Sequence, residues 1–487
     1  MSNSNSNFAP RDAAWRRELR DAMPAKERTA IPRVSMPHLD PAWRVTCFEE
    51  VNQGLSAEQA RLEASRCLDC PDPQCVSGCP VSIDIPGFVK NIQRGDILEA
   101  DAVLRATSAL PAVCGRVCPQ ERQCESKCIY NRMKKPPVAI GYLERFAADT
   151  AAAEPAKTVR RPEPLGIKVA VVGSGPSGLS FAGEMASRGF DVTVFEALHE
   201  IGGVLKYGIP EFRLPNSVVD HEINTLRELG VSFVKDMVIG KTLSHADLED
   251  MGFKGIFVGS GAGLPRFMGI PGENLIGVMS SNEYLTRVNL MGAGRTDAPT
   301  PVTLGHRAAI IGGGNTAMDS ARTARRMGAE KVYVVYRRGE AEMPARIEEV
   351  AHAKEEGIEF LTLHNPLEYL GDEKGRVTTM RLQRMELGEP DESGRRSPVP
   401  VPGAVSDVEV DMVIVSVGVS PNPLIPEAMA GLDITRRGTI VVDEATMRTS
   451  LPDVYAGGDI VRGGATVILA MGDGRRAAAA MAEALTC

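Results

Sequence analysis

The chain has 487 residues, enough at roughly 150 residues per domain for about three domains. Its 43% hydrophobic and 24% charged content describes a globular protein, not a fibrous or disordered one. With 55 Lys+Arg against 63 Asp+Glu the net charge is -8, which argues against a nucleic-acid binder, whose phosphate contacts need a basic face.

The first residues, Met1 to Asn7, are polar and lack the apolar stretch of a secretory signal. No run approaches the roughly 18 apolar residues of a membrane span. The expected location is cytoplasmic, where clustered thiols are more often metal ligands or catalysts than disulfides. Up to about residue 45 the chain carries Trp15, Arg16, Arg17, Arg20, Pro24, Pro32 and Pro37. It reads as an extended arm with a short helix, either packed on a partner or solvated. Residues 1–160 are Cys-rich, Pro-punctuated and without convincing strands. Ser56–Cys67 reads as a helix with Ser56 as N-cap, running into the first thiol loop. Residues 86–106 read as one further helix, and 151–164 have the composition of a linker.

Nine of the ten cysteines lie between Cys47 and Cys128, and the tenth is Cys487. Two groups stand out: Cys67-x2-Cys70-x4-Cys75-x3-Cys79-Pro80, and Cys114-x3-Cys118-Pro119-x4-Cys124-x3-Cys128. Zinc sites usually show paired C-x2-C knuckles on either side of a longer loop. Four thiols within 13 residues suit an iron–sulfur cubane better, and a Cys-Pro ending is ferredoxin-like. Eight thiols suffice for two four-thiolate clusters, and spacing alone does not assign them. Cys47 and Cys487 read as ordinary small thiols.

After the linker, strands alternate with helices, which implies parallel sheets covered on both faces. The strand Ile167–Val172 runs into Gly173-Ser174-Gly175-Pro176-Ser177-Gly178 and the helix Leu179–Arg188. Gly173 permits the tight turn, Gly175 lets the backbone approach a pyrophosphate, and Gly178 lets the helix pack on the strand. The next strand, Phe190–Phe195, ends at Glu196, where a carboxylate takes ribose hydroxyls and repels a 2′-phosphate. This first site is therefore an FAD or NAD site. A second copy starts with strand Arg307–Ile311 and continues through Gly312-Gly313-Gly314-Asn315-Thr316-Ala317. Its following strand, Lys331–Tyr336, ends in Arg337 and Arg338, whose guanidinium groups suit the 2′-phosphate of NADP(H) unless they are simply solvated. Flavin in the first site and nicotinamide in the second make a hydride-to-flavin arrangement. Apart from Cys487 neither α/β domain holds a cysteine, so there is no flavin-side dithiol. The electrons must leave through the Cys-rich domain.

In this order the motifs resemble the small (β) subunit of NADPH-dependent glutamate synthase over roughly residues 40–487. The similarity includes Leu110–Pro119, Gly202–Pro210, Gly312–Ser320, Arg337, Arg338, Met343-Pro344 and Tyr455–Asp459. The same module looks like the N-terminal half of dihydropyrimidine dehydrogenase and the large subunit of the electron-bifurcating NADH-dependent ferredoxin:NADP oxidoreductase. Val76–Gly87 looks closer to the bifurcating branch.

The resemblance implies one [4Fe–4S] cluster on Cys67, Cys70, Cys75 and Cys128. It implies a second on Cys79, Cys118, Cys124 and Glu144, the last at a position where dihydropyrimidine dehydrogenase carries Gln. Glu144 could instead be an ordinary helix-face carboxylate, and Cys114 becomes a bystander. It further implies FAD contacts at Gly173, Gly175, Pro176, Ser177, Gly178, Glu196, Gly203, Leu205, Gly458, Asp459 and Thr466. NADP(H) falls to Gly312, Gly314, Asn315, Thr316, Arg337 and Arg338.

The fold class expected is α/β. A helical two-cluster iron–sulfur domain (1–160) precedes two Rossmann-like domains, with the NADP domain (301–409) inserted between the two parts (161–300 and 410–487) of the FAD domain. The activity implied is hydride transfer from NADPH to FAD, then electron transfer through two clusters to a larger catalytic subunit of a hetero-oligomer. In glutamate synthase that subunit makes glutamate from glutamine and 2-oxoglutarate. Two other readings are a subunit of an NAD(P)H:ferredoxin or sulfide-dehydrogenase-type enzyme, and a non-catalytic nucleotide-binding redox or zinc scaffold. Hydride transfer needs no general acid or base, so no catalytic side chain is expected.

Overall fold

The computed structural model describes residues 8–154, 161–295, 298–392 and 394–486. Cys487, the residues up to Asn7 and part of the linker lie outside the described residues. The N-terminal region is built from short helices around a core that includes Val81, Phe88, Ile92, Val113, Tyr130 and Leu143. Ser56 accepts the Gln59 N–H while the Gln59 side chain accepts the Ser56 N–H, so helix Ala57–Ser65 begins with a capping box. The single helix expected over 86–106 is two, Ile85–Arg94 and Ile97–Arg105. Gly95 takes φ 88 and ends the first, and Asp96 caps the second by accepting the Glu99 N–H. The arm packs on its own chain, through a few buried side chains. Its helix Ala14–Ala22 buries Arg16, and Arg28 is buried just beyond it.

Two five-stranded parallel sheets follow. The first has the order Ser232–Val234, Asp191–Phe195, Lys168–Val172, Phe253–Val258, Val454–Ala456. The second has the order Glu359–Thr362, Lys331–Tyr336, Arg307–Ile311, Met412–Val415, Val278–Ser280. Each central strand is buried from its second residue onward and feeds a glycine turn and a helix, Pro176–Ala186 in one domain and Asn315–Arg326 in the other. The repeat expected from the two glycine turns is thus a repeat of whole sheets.

The expected divisions at 300/301 and 409/410 cut across the second sheet, because Val278–Ser280 and Met412–Val415 both pair inside it. These outer strands are short apolar runs with no turn motif to assign them. An antiparallel sheet of His364–Gly371, Val377–Pro390 and Arg396–Glu409 also belongs to this domain and carried no signal in the sequence. The final helix, Val467–Thr486, returns to lie along Pro176–Ala186, where a Cβ on Gly474 would come within 2.4 Å of the Ser177 carbonyl oxygen. Among the described residues no helix is long and apolar enough to cross a membrane.

Candidate functional site

Both glycine turns open into one cavity of about 1600 Å³ between the two parallel-sheet domains. Its walls include Gly173, Gly175, Pro176, Ser177, Glu196, Gly203, Gly458, Asp459 and Thr466 from the first domain, and Gly312, Gly314, Asn315, Thr316, Arg337 and Arg338 from the second. Two expected contacts do not line it. Gly178 is a packing residue: a Cβ there would sit 2.0 Å from the Gly173 carbonyl oxygen. Leu205 turns into the core and is fully buried. Gly203 takes φ 54, and a Cβ on it would lie 2.9 Å from Gly175 Cα, filling the cradle in front of the first turn.

Glu196 is buried, and its carboxylate already accepts three hydrogen bonds, from Ser174 N–H (2.9 Å), Ser174 Oγ (2.5 Å) and Leu198 N–H (2.9 Å). A carboxylate offers about four acceptor positions, so one on Oε1 remains for a ribose hydroxyl. Beside Ser177 of the first turn, the Gly458-Asp459 turn is fixed by Asp473, which the sequence did not single out. Fully buried, Asp473 accepts the Gly458 N–H at 3.0 Å and holds Arg462 and Arg476. Burial raises the Asp459 carboxyl above its ordinary range.

At the second site the two arginines part company. Arg337 is exposed on the cavity rim. Arg338 is buried, donating from Nη2 to Asp391 (2.6 Å) and from Nε to the Arg396 carbonyl (2.8 Å). Asn315 is also engaged, its Oδ1 accepting the Arg346 N–H at 2.9 Å.

The cysteines fall into two sets. Burial, and then the Cys67 and Cys128 thiols, push Cys70 up to about 11; burial and the Cys67, Cys128 and Cys70 thiols raise Cys75 further. Burial lifts Cys79 to about 11, with Glu144 and Cys118 adding to it, and burial raises Cys124, with Glu125, Glu144, Cys118 and Cys79 adding. Cys67, Cys70, Cys75 and Cys128 are thus neighbours, as are Cys79, Cys118, Cys124 and Glu144, with Cys114 among the latter. Cys114 is fully buried beside Cys118, with its Sγ 3.5 Å from Met471 Sδ. None of the described cysteines is in a disulfide.

Both sets fit iron–sulfur clusters. Four adjacent thiols need a cationic centre to ionise them. In the second set Glu144 is buried, its Oε1 has no hydrogen-bond partner, and burial followed by Glu222 lifts its carboxyl to about 8. An unpartnered carboxyl oxygen among the Cys79, Cys114, Cys118 and Cys124 thiols has the chemistry of a cluster ligand. The second set also abuts the cavity. Val117 and Pro119, on either side of Cys118, line it, and Gln123 donates to Thr466 Oγ1 at 3.4 Å.

Comparison with known proteins gives the same order of an iron–sulfur domain followed by a nucleotide-binding oxidoreductase domain. Residues 44–156 match the family described as dihydropyrimidine dehydrogenase domain II, 4Fe-4S cluster. Residues 167–484 match the pyridine nucleotide-disulphide oxidoreductase family. The chain is 38% identical over 438 residues to the glutamate synthase [NADPH] small chain of Azospirillum brasilense, covering 88% of this chain and 90% of that one. It is 37% identical over 439 residues to the NADP(+)-dependent formate dehydrogenase subunit beta of Moorella thermoacetica, covering 84% and 60%. A solved structure, Mycobacterium tuberculosis FprA in complex with NADPH, superposes with a TM-score of 0.55 at 21% identity, covering 66% of this chain and 85% of that one.

Proposed function

The chain belongs to the glutamate synthase small-chain family of FAD- and iron–sulfur-dependent NADPH oxidoreductases, and from that premise we propose that it is the electron-input subunit of a glutamate synthase. When bound, the flavin would accept hydride from the nicotinamide and release single electrons to the two clusters. The chain's own contribution is positional. The Pro176–Ala186 and Asn315–Arg326 helices, each starting just after a glycine turn, would offer their N-terminal N–H groups to the two pyrophosphates. Glu196 would take a ribose hydroxyl of FAD, and Arg337 the 2′-phosphate of NADPH. The observation that carries the reading is the place of Cys118 between the cavity-lining Val117 and Pro119. It supports a reading in which the Cys79/Cys118/Cys124/Glu144 set would lie nearer the flavin than the Cys67/Cys70/Cys75/Cys128 set.

Anaerobic purification from the source with its partner attached is the test. A co-purifying glutaminase-containing subunit and NADPH-dependent glutamate formation from glutamine and 2-oxoglutarate support the proposal. A second reading, input to an NAD(P)H:ferredoxin-type complex, is favoured by the Val76–Gly87 segment and by the formate dehydrogenase subunit among the relatives. A small flavin and [2Fe–2S] partner would decide for it.

A further inference from the structure

We propose that the N-terminal arm is part of the redox apparatus. Arg16 and Arg20 clamp Asp69 to hold the Cys67–Cys70 loop and, with Arg28 and Lys90, make the Cys67/Cys70/Cys75/Cys128 centre the more strongly oxidising of the two. The inference rests on the two-cluster reading above and concerns only residues that are not ligands.

Asp69 stands between the first two thiols of that centre and takes φ 52, a conformation that L residues with side chains rarely adopt. Such backbone persists where its surroundings fix it. Here they do. The fully buried Asp69 carboxylate forms ion pairs with Arg16 and Arg20, and Arg11 Nε donates to the Asp69 carbonyl at 2.7 Å. Arg16 and Arg20 lie four apart on helix Ala14–Ala22, so both reach the same carboxylate from one helix face. Asp69 thus meets residues 49 and 53 positions away, and the arm closes over the thiol loop.

The charge around the two centres differs. Near the first, buried Arg28 donates to the Ser65 carbonyl and buried Lys90 donates to the Cys67 carbonyl at 2.5 Å. Arg16, Arg20, Arg28 and Lys90 outnumber the Asp69 carboxylate, while Glu63 and Glu125 on the same side are each paired, with Arg66 and Arg33. Near the second, a Glu144 carboxylate brings the same single charge as the thiolate it replaces, and Glu125 and Glu222 are paired with Arg33 and Arg105. The one cation acting on Cys118, Arg346, already pairs with Glu348 at 3.0 Å. Reduction adds negative charge to a cluster, and inside a protein nearby cations stabilise that charge far more than in water. The first centre therefore holds the higher midpoint potential, and electrons run from the cavity side outward through it.

The test is an EPR-monitored potentiometric titration of the anaerobically purified holoenzyme and its variants, with iron and flavin counted for each. In the Arg16→Gln/Arg20→Gln variant the midpoint of the more oxidising cluster falls and the other stays in place. Arg16→Lys/Arg20→Lys keeps the charge and restores most of the potential. Asp69→Asn removes a negative charge and moves the same midpoint upward. This opposite sign is one that mere loosening of the loop does not produce, so it decides the matter if the glutamine variant fails to assemble. Unmoved midpoints in both Arg16→Gln/Arg20→Gln and Asp69→Asn, or a shift in the other cluster, overturn the proposal. A wild-type holoenzyme without iron would instead sink the two-cluster reading itself.

Discussion

Arg213 and Asp319 join the two nucleotide-binding domains at the edge of the cavity, the Arg213 Nη1 lying 2.7 Å from each oxygen of the Asp319 carboxylate. The pair opens onto a buried network. Glu349 meets Arg213 and Arg322, while Glu356 meets Arg322, Arg326 and Arg44 of the N-terminal domain. Phe212 lies against the guanidinium groups of Arg322 and Arg326, 4.7 and 4.0 Å from its ring centre. Three domains therefore share one charged core, which fixes the angle between the two cofactor sites.

Breaking that core from one side strands buried charge. Glu356→Gln leaves Arg44, Arg322 and Arg326 undercompensated and costs roughly 3–5 kcal/mol. Chemical denaturation of the holoprotein reads this directly. The network is also acid-sensitive. Burial opposes ionisation of Glu349 and Glu356, but Arg213 and Arg322 around the first, and Arg322 and Arg326 around the second, hold both carboxyls at about 2 against an ordinary 4.5. Because the folded values are depressed, the stability they contribute is complete above about pH 4.5 and is lost as the pH falls from 4.5 toward 2. Melting curves over that window flatten in Glu349→Gln.

Nicotinamide preference depends on Arg337 more than on Arg338. Arg337→Ala removes an exposed guanidinium from the cavity rim and should raise KM for NADPH about 10- to 100-fold, with NADH nearly unaffected. Arg338 acts through Asp391 and the Arg396 carbonyl, so Arg338→Ala weakens both nucleotides together. Steady-state kinetics with the two nucleotides separate the cases. An equal loss of NADPH and NADH in Arg337→Ala contradicts the 2′-phosphate role.

Glu144→Ala should remove one cluster of two, leaving roughly four of about eight irons with flavin content intact. Glu144→Cys should restore the iron, and colorimetric iron analysis measures both. If Glu144→Ala keeps all its iron, the carboxylate is an ordinary buried acid.

Gly203→Ala puts a Cβ within 2.9 Å of Gly175 Cα at a position already at φ 54. The variant should fold but bind FAD poorly. The flavin absorbance of the purified protein reports the loss.

Sequence features that act locally were legible. The glycine turns, their strands and the Ser56 cap are decided within a few residues, and the thiol spacing pointed to iron–sulfur clusters. Contacts between distant segments were not. Asp69 reads as a loop acid until Arg16 and Arg20 close on it. Asp473 looks like one acid on a long helix until Gly458, Arg462 and Arg476 converge on it. Leu205 sits beside Gly203 in the chain yet faces the core, because the direction of a short helix is set by packing that spacing does not reveal.

The central claim is that nicotinamide, flavin and two iron–sulfur centres form one electron path in this chain. Anaerobic titration of the purified protein with NADPH, followed by visible absorbance and EPR, tests it most directly. The account predicts one flavin and about eight irons per chain, bleaching of the flavin by NADPH, and an EPR signal from a reduced [4Fe–4S] cluster. Zinc in place of iron, or a flavin that NADPH reduces while two intact clusters accept no electrons at any potential it can reach, would contradict it.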